Sequence, residues 1–427
     1  MSAEESSNRD WLPWSQVAAA FLVQLCTLGL SNSFGVFQSY FEHNLLNSYS
    51  PSNITWIGTT QGFLLCISGI ISGPLYDKGY IRSLMYFGGA LNVAGLLCTS
   101  FAGQYAWIIL SFGLAIGLGS GAVYVPSQAV VQAYFDEKEA ALPTGIAMTG
   151  SSVGGIIYPI IFRRLENRFG FSWACRVIAL ANGVFLLASC LLIKPRQLRD
   201  TESNEGPRPF NFKAFYDWKL ILLGICALLL NIGVDVPFYF ISTFVQGKLG
   251  LSPTVGDSLL AGINASSLFG RVFLNWISNF SKPLITWQFT ILGACVLLFS
   301  WSVIKTLTGI IAFVIFYGFL VGGLTALIPP AVRQLDPDSK DIGARIGLVE
   351  GFQGVGFLIG PPIAGAILES PAGYFRVSMF CGALYFAVFL ILGILTCRRS
   401  TSEEEHPNES LALSNIEGGE TAVGVNN

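Results

Sequence analysis

Gly145-Ile-Ala-Met-Thr-Gly-Ser-Ser-Val-Gly-Gly-Ile-Ile-Tyr-Pro159 has a counterpart 202 residues further on, Gly347-Leu-Val-Glu-Gly-Phe-Gln-Gly-Val-Gly-Phe-Leu-Ile-Gly-Pro361. Gly145, Gly154 and Pro159 fall on Gly347, Gly356 and Pro361 at that single offset. Working outward, Gly119 and Pro126 match Gly322 and Pro329 at 203, and Gly29 and Phe34 match Gly233 and Phe238 at 204. One such pair means little among glycine-rich helices. Several in chain order at nearly one offset indicate a duplicated chain.

The two stretches lie in apolar runs, and the whole composition follows them. Hydrophobic residues make up 52% of 427 positions and charged residues only 12%, with a mean hydropathy of +0.59. A soluble domain carries about 25% charged residues, so water cannot solvate this chain's surface. Long apolar stretches alternate with short polar connectors, and a helix needs about 20 apolar residues to cross a bilayer core about 30 Å thick. Twelve such spans are expected near 14–41, 54–76, 83–103, 106–134, 142–162, 173–193, 218–245, 255–277, 284–304, 308–332, 342–368 and 374–397. The expected fold class is therefore an all-α membrane protein of twelve transmembrane helices in two six-helix repeats.

The domain reading follows from the connectors. Residues 1–13 form a short N-terminal segment, 14–193 the first six-helix bundle, 194–217 a polar linker, 218–397 the second bundle and 398–427 a disordered tail. Placing the N-terminus inside puts 16 Lys and Arg on the cytoplasmic side, 7 outside and Arg271 within a span. That bias favours both termini in the cytoplasm, although Arg163, Arg164 and Arg168 oppose it locally. The plasma membrane is the expected location, with a vacuolar or other internal membrane as the alternative. The first ten residues are acidic and polar and lead into a full span, so no cleavable signal peptide is expected.

The nine cysteines lie in or at the ends of apolar segments without a CxxC pair, and only His43 and His406 are present. Neither a metal site, a haem attachment nor a disulfide framework is expected, and no cofactor. A net charge of −2 points to no nucleic-acid partner. The expected partners are the lipid bilayer and a small organic solute, with protons as a coupled species. The chain contains no GxxxxGK[ST] or HExxH motif, so ATP-driven pumping and metal hydrolysis lack their parts. The reading is a transporter, not an enzyme.

Glycines recur at spacing four, at Gly113, Gly117 and Gly121, at Gly318 and Gly322, and at Gly343, Gly347 and Gly351. Such stripes let a neighbouring backbone approach closely and give smooth helix faces. Parallel six-helix repeats with a midplane site between them resemble the major facilitator architecture. The connector Gly73-Pro-Leu-Tyr-Asp77-Lys78-Gly79-Tyr-Ile-Arg82 resembles that superfamily's loop motif. The resemblance implies a gating role for Gly73, Asp77 and Arg82, with Asp77 facing the positive end of another helix. The matching loop of the second half has decayed to Asn275 and Asn279.

Ser33-Phe-Gly-Val-Phe-Gln38, Gly150-Ser-Ser-Val-Gly-Gly-Ile-Ile-Tyr-Pro159, Phe269-Gly-Arg271 and Gly360-Pro-Pro-Ile-Ala-Gly365 together resemble the fungal branch of the monocarboxylate transporter family. The likeness runs from about residue 14 to 397. It implies proton-linked or facilitated movement of small carboxylates, with related fungal members moving other metabolites. Animal members use a lysine in the first span and an aspartate four residues before an arginine in the eighth. Arg271 matches the arginine, while Asn32 and Ser267 stand at the other two positions. The opening acidic-Gly-aromatic signature is reduced to Asp10, Trp11 and Trp14.

Charge inside a span costs about 2.5–3.5 kcal/mol near the centre and so usually faces a cavity or a partner. Arg271, Glu350 and Asp235 meet that description, and Arg271 and Glu350 share a similar depth. Arg271 is the expected ligand of an anionic solute group, with Glu350 as counter-charge or proton carrier. Asn32, Tyr124, Gln128, Asn231, Tyr239, Asn264 and Gln353 are the polar residues expected to line the cavity. Asn53-Ile-Thr55 is a glycosylation acceptor on the outer side, though its nearness to the second span hinders modification.

The function expected is alternating-access movement of a small, carboxylate-bearing metabolite. Export of a secondary metabolite, or facilitated diffusion without proton coupling, is the alternative, since two of the family's three charged groups are missing. A non-transporting sensor on the same scaffold would need a signalling tail, and only 28 residues follow Thr396-Cys-Arg-Arg399.

Overall fold

The computed structural model describes residues 3–194, 216–337 and 339–420. The chain is helical throughout, as apolar segments must be where no water satisfies backbone N–H and C=O groups. The spans are α1 (Trp11–Asn32), α2 (Asn53–Asp77), α3 (Ile81–Thr99), α4 (Tyr105–Tyr134), α5 (Ala141–Phe169), α6 (Phe171–Leu192), α7 (Trp218–Leu249), α9 (Pro283–Trp301), α10 (Leu307–Leu335), α11 (Ile342–Leu368) and α12 (Gly373–Thr396). These eleven are long and apolar enough to cross a membrane. Between α7 and α9 lies α8, Pro253–Ser281, which at 29 residues is equally long. It is more polar because it carries Asn264, Ser266, Ser267, Arg271 and Asn275. Twelve helices in series bring both chain ends to one side, termed here the terminus-bearing face.

Each half closes its own core. The first packs Phe37, Phe41, Phe112, Phe162 and Tyr158, and the second Trp287, Trp301, Tyr317 and Tyr385. Outside, Phe280, Phe101 and Leu180 are at least 70% exposed. Apolar area on that scale around a helical bundle is a lipid-facing surface.

The repeat legible in the sequence is a repeat of contacts. Gly154 of α5 lies against Gly29 of α1, and its counterpart Gly356 of α11 lies against Leu228 and Asn231 of α7. Several helices depart from regular geometry where the site lies. In α1 a π-helical turn covers Leu25–Gly29, and in α4 another covers Ile109–Ile116; such turns are frequent at functional sites. Helix α7 is interrupted at Asp235, two residues before Pro237.

The linker falls mainly on 195–215, outside the described residues. The tail read as disordered continues α12 as helix to Glu420. Its polar composition argues against a packed core, and a helix projecting without a core satisfies that argument equally well.

Candidate functional site

The halves meet along two seams. In the first, α2 crosses α11 backbone to backbone. A Cβ on Gly347 would overlap the carbonyl of Gly69, and one on Gly343 would stand 2.5 Å from that of Gly73. At the end of this seam Asp77 accepts hydrogen bonds from the N–H groups of Gly343 (2.9 Å) and Ala344 (2.7 Å). A carboxylate there caps the first turn of α11 and faces the positive end of its dipole, worth up to about 2 kcal/mol when partly buried. This closes the interface near the terminus-bearing face. Gly73 belongs to the same contact, whereas Arg82 is exposed in the first turn of α3. Gly117 packs on Leu64 and Gln61, and Gly322 on Ser267, so these two glycines serve packing inside their own halves.

The second seam, α5 against α8, is polar. Arg271 is 4% exposed, and its Nε donates to Ser152 Oγ at 3.1 Å. Ser152 shares a 2.8 Å hydrogen bond with Ser267. One guanidinium nitrogen of Arg271, Nη1, is buried without a partner. A buried cation with a free donor holds a place for an acceptor the protein does not supply. Gly155 of α5 lies between Asn264 and Asn32, bringing those amides together. At the opposite face Arg163 pairs with Asp257 at 3.1 Å, both more than half exposed.

Glu350, on α11 of the same half as Arg271, faces Gln128 of α4 across the interface. Gln128 Nε2 donates to Glu350 Oε1 at 3.4 Å, and Oε2 has no partner. Tyr124 borders the carboxyl and is within electrostatic reach of both Glu350 and Arg271. Among the described residues no ion pair joins Arg271 to Glu350, and Tyr124 lies near both. Asn231 donates to the Gln353 carbonyl at 2.9 Å, and Gln353 Oε1 is unpaired. Two charges and several amides therefore converge with unused valences.

Asp235 is half-buried at the break in α7, near Tyr239. The adjoining Val234 carbonyl, released from the helical ladder, accepts from Tyr317 Oη at 2.8 Å. Asn53 is exposed in the first turn of α2, where Tyr105 donates to its carbonyl at 2.9 Å. Among the described residues no group of three or more His, Cys, Asp or Glu could hold a metal ion.

Three further buried polar residues carry no charge. Ser152 is one. The others are Gln24 and Gln61, wholly buried, whose amide oxygens and nitrogens all lack partners. Each unsatisfied group costs about 1–3 kcal/mol. An isolated amide inside an apolar span was the available signal.

The profile of the Major Facilitator Superfamily matches residues 19–337. Among curated proteins, the MFS-type transporter pynF of Aspergillus niger is 35% identical over 386 residues, covering 90% of this chain and 87% of its own. The agnestins efflux protein AgnL12 of Paecilomyces divaricatus is 32% identical, with 89% and 86% covered. The aspyridones efflux protein apdF of Emericella nidulans is 31% identical, with 87% and 75% covered. Among solved structures, the Major Facilitator Superfamily transporter FucP in its outward conformation superposes with a TM-score of 0.69 at 13% identity, over 90% of this chain and 98% of that one. This last likeness concerns the fold alone.

Proposed function

The chain belongs to the Major Facilitator Superfamily and is a transporter, and from that premise we propose that it exports an acid-bearing secondary metabolite, Arg271 holding the anionic group. The observation that carries this is the buried Arg271 with Nη1 unpaired. The guanidinium offers a planar fork of donors that suits a carboxylate or an acidic enol. Efflux as the direction draws support from the names of apdF and AgnL12. The narrower placement, in the fungal branch of the monocarboxylate transporter family, rests on Arg271 and the glycine-proline strings. Neutral Asn32 and Ser267, where animal members carry charge, favour a larger solute over a short monocarboxylate.

In this reading Glu350, with one free oxygen beside Tyr124 and Gln128, carries the coupled proton. Both chain ends lie in the cytoplasm and the membrane is the plasma membrane, as the basic bias favours. The latch of Asp77 on α11 then closes the cytoplasmic side.

The test has two steps. Metabolite profiles of medium and cells, with and without the gene, identify the solute, and proteoliposome flux then measures it. Arg271→Lys keeps the charge but loses the fork and is expected to lower flux about tenfold, as loss of one charge-assisted hydrogen bond would. Arg271→Ala is expected to abolish it, and Glu350→Gln to remove its pH dependence. Normal flux in Arg271→Ala would sink the site assignment. A pH dependence surviving in Glu350→Gln would move the proton elsewhere, with Asp235 next in line.

A further inference from the structure

Gln24 and Gln61 are unexplained by packing. Both are fully buried, and all four of their amide atoms lack partners. Both adjoin residues that touch the other half. Gln24 lies one turn before Leu28, which packs on the C-terminal core. Gln61 lies one turn before Leu65, a member of that core, and next to Gly62, which Phe357 of α11 covers. Each also adjoins a π-helical turn. Gln24 immediately precedes Leu25–Gly29. Gln61 packs its backbone on Gly117, the residue that follows Ile109–Ile116. At 1.5 Å per residue from the terminus-bearing ends of their helices, Arg271, Tyr124 and Glu350 lie ~12–15 Å deep and Gln24 and Gln61 ~20–24 Å deep.

We propose that Gln24 and Gln61 form a second, uncharged subsite, one tier above Arg271, that receives a hydroxyl, carbonyl or amide at the far end of the solute. This rests on the reading of Arg271 as the ligand of the acid end. An amide offers both donor and acceptor, so the pair matches a neutral oxygen in either role. A second anion at this level would meet Asp235, which lies ~26 Å deep by the same count. The substrate class is an elongated organic acid whose other polar group is neutral and ~5–9 Å from the first, by the difference in helical depth from Arg271.

Two ligand series separate this subsite from the arginine: straight-chain alkanoates and the ω-hydroxyalkanoates of equal length, bound to the full chain in lipid nanodiscs. Carbon–carbon bonds near 1.5 Å place the hydroxyl at the upper tier for extended chains of about five to eight carbons. At that length the hydroxy acid is expected to bind about tenfold more tightly than the alkanoate, as one or two buried hydrogen bonds would give. At about three carbons the hydroxyl cannot span the tiers and should confer no preference.

Gln24→Leu and Gln61→Leu are each expected to erase that preference while plain alkanoates bind as before. Their melting temperatures should hold or rise, because an apolar side chain of similar size removes an unsatisfied amide. A preference that survives both substitutions, with lowered melting temperatures, overturns the proposal and makes the glutamines structural groups satisfied by water. No hydroxyl preference at any length, with alkanoate binding still lost in Arg271→Ala, overturns the subsite and leaves the arginine reading standing. Alkanoates that bind Arg271→Ala normally, or a wild-type protein that binds neither series, overturn both.

Discussion

The two seams between the halves occupy equivalent places in the repeat yet are built from different chemistry. Gly145 on α5 corresponds to Gly347 on α11. A Cβ on Gly145 would overlap the carbonyl of Arg271, and one on Gly347 that of Gly69. Backbone proximity is common to both. What differs is what lines them: α2 and α11 meet through Gly69, Gly73, Gly343 and Gly347, while α5 and α8 meet through Ser152, Ser267 and Arg271. Apart from the Asp77 cap at its end, the glycine seam is made by close packing and can part and reclose at little cost. A seam of hydroxyls around a buried guanidinium can exchange its partners only for others of equal quality. The duplication thus supplied two similar surfaces, one lined by glycines and one by hydroxyls around a guanidinium.

The comparison breaks most readily at Gly347. Gly347→Leu would force the two backbones apart, and flux in proteoliposomes is expected to fall at least tenfold, as a misfit in a tightly packed seam costs about 1–3 kcal/mol or more. Gly35, with nothing within 4 Å of its added Cβ, provides the control, and Gly35→Ala should transport normally. Normal flux in Gly347→Leu would mean that the α2–α11 seam need not close. An intermediate effect is expected of Asp77→Asn, which keeps an acceptor for α11 and removes the charge from its dipole. Loss of about 1 kcal/mol should expose a cysteine placed at Ala344 to alkylation roughly fivefold faster. An unchanged rate would separate the cap from closure. The smallest effect is expected of Arg163→Ala, because an exposed ion pair contributes about 0–1 kcal/mol and is screened by salt. Flux should stay within about twofold of wild type at physiological ionic strength. A large loss would give the polar seam a latch of its own at the far face.

Most of the fold was legible in the sequence because lipid enforces it: a run of apolar residues must be a helix, and its length fixes the count. Only α8 strays from the apolar pattern, and it does so because it carries Arg271 and its polar neighbours. The site was half legible. Arg271 and Glu350 stood out since charge in a span is costly, and Asp235 stood out beside Pro237. Their spatial relation was not legible. Matching depth suggested a pair, but depth says nothing of rotation about the helix axis, and the two charges form no ion pair. The glycine stripes were equally ambiguous in one dimension. Gly117 and Gly322 face inward within their halves, whereas Gly69 and Gly73, which the stripes did not single out, cross the interface. Neutral amides such as Gln24 and Gln61 carry too little cost per residue to be noticed without knowing that no partner reaches them.

The separation of the two cores also bears on how the chain is made. The first cluster draws only on residues before 194, and the second mostly on residues after 217. The N-terminal bundle can therefore complete its interior while the ribosome is still producing the C-terminal one, as domains generally fold in units during synthesis. Among the residues it must then keep uncommitted are Leu65, Cys66, Tyr124, Val125 and Ala129, which join the second cluster. A newborn half would present these to the membrane as an open, adhesive strip until its twin arrives.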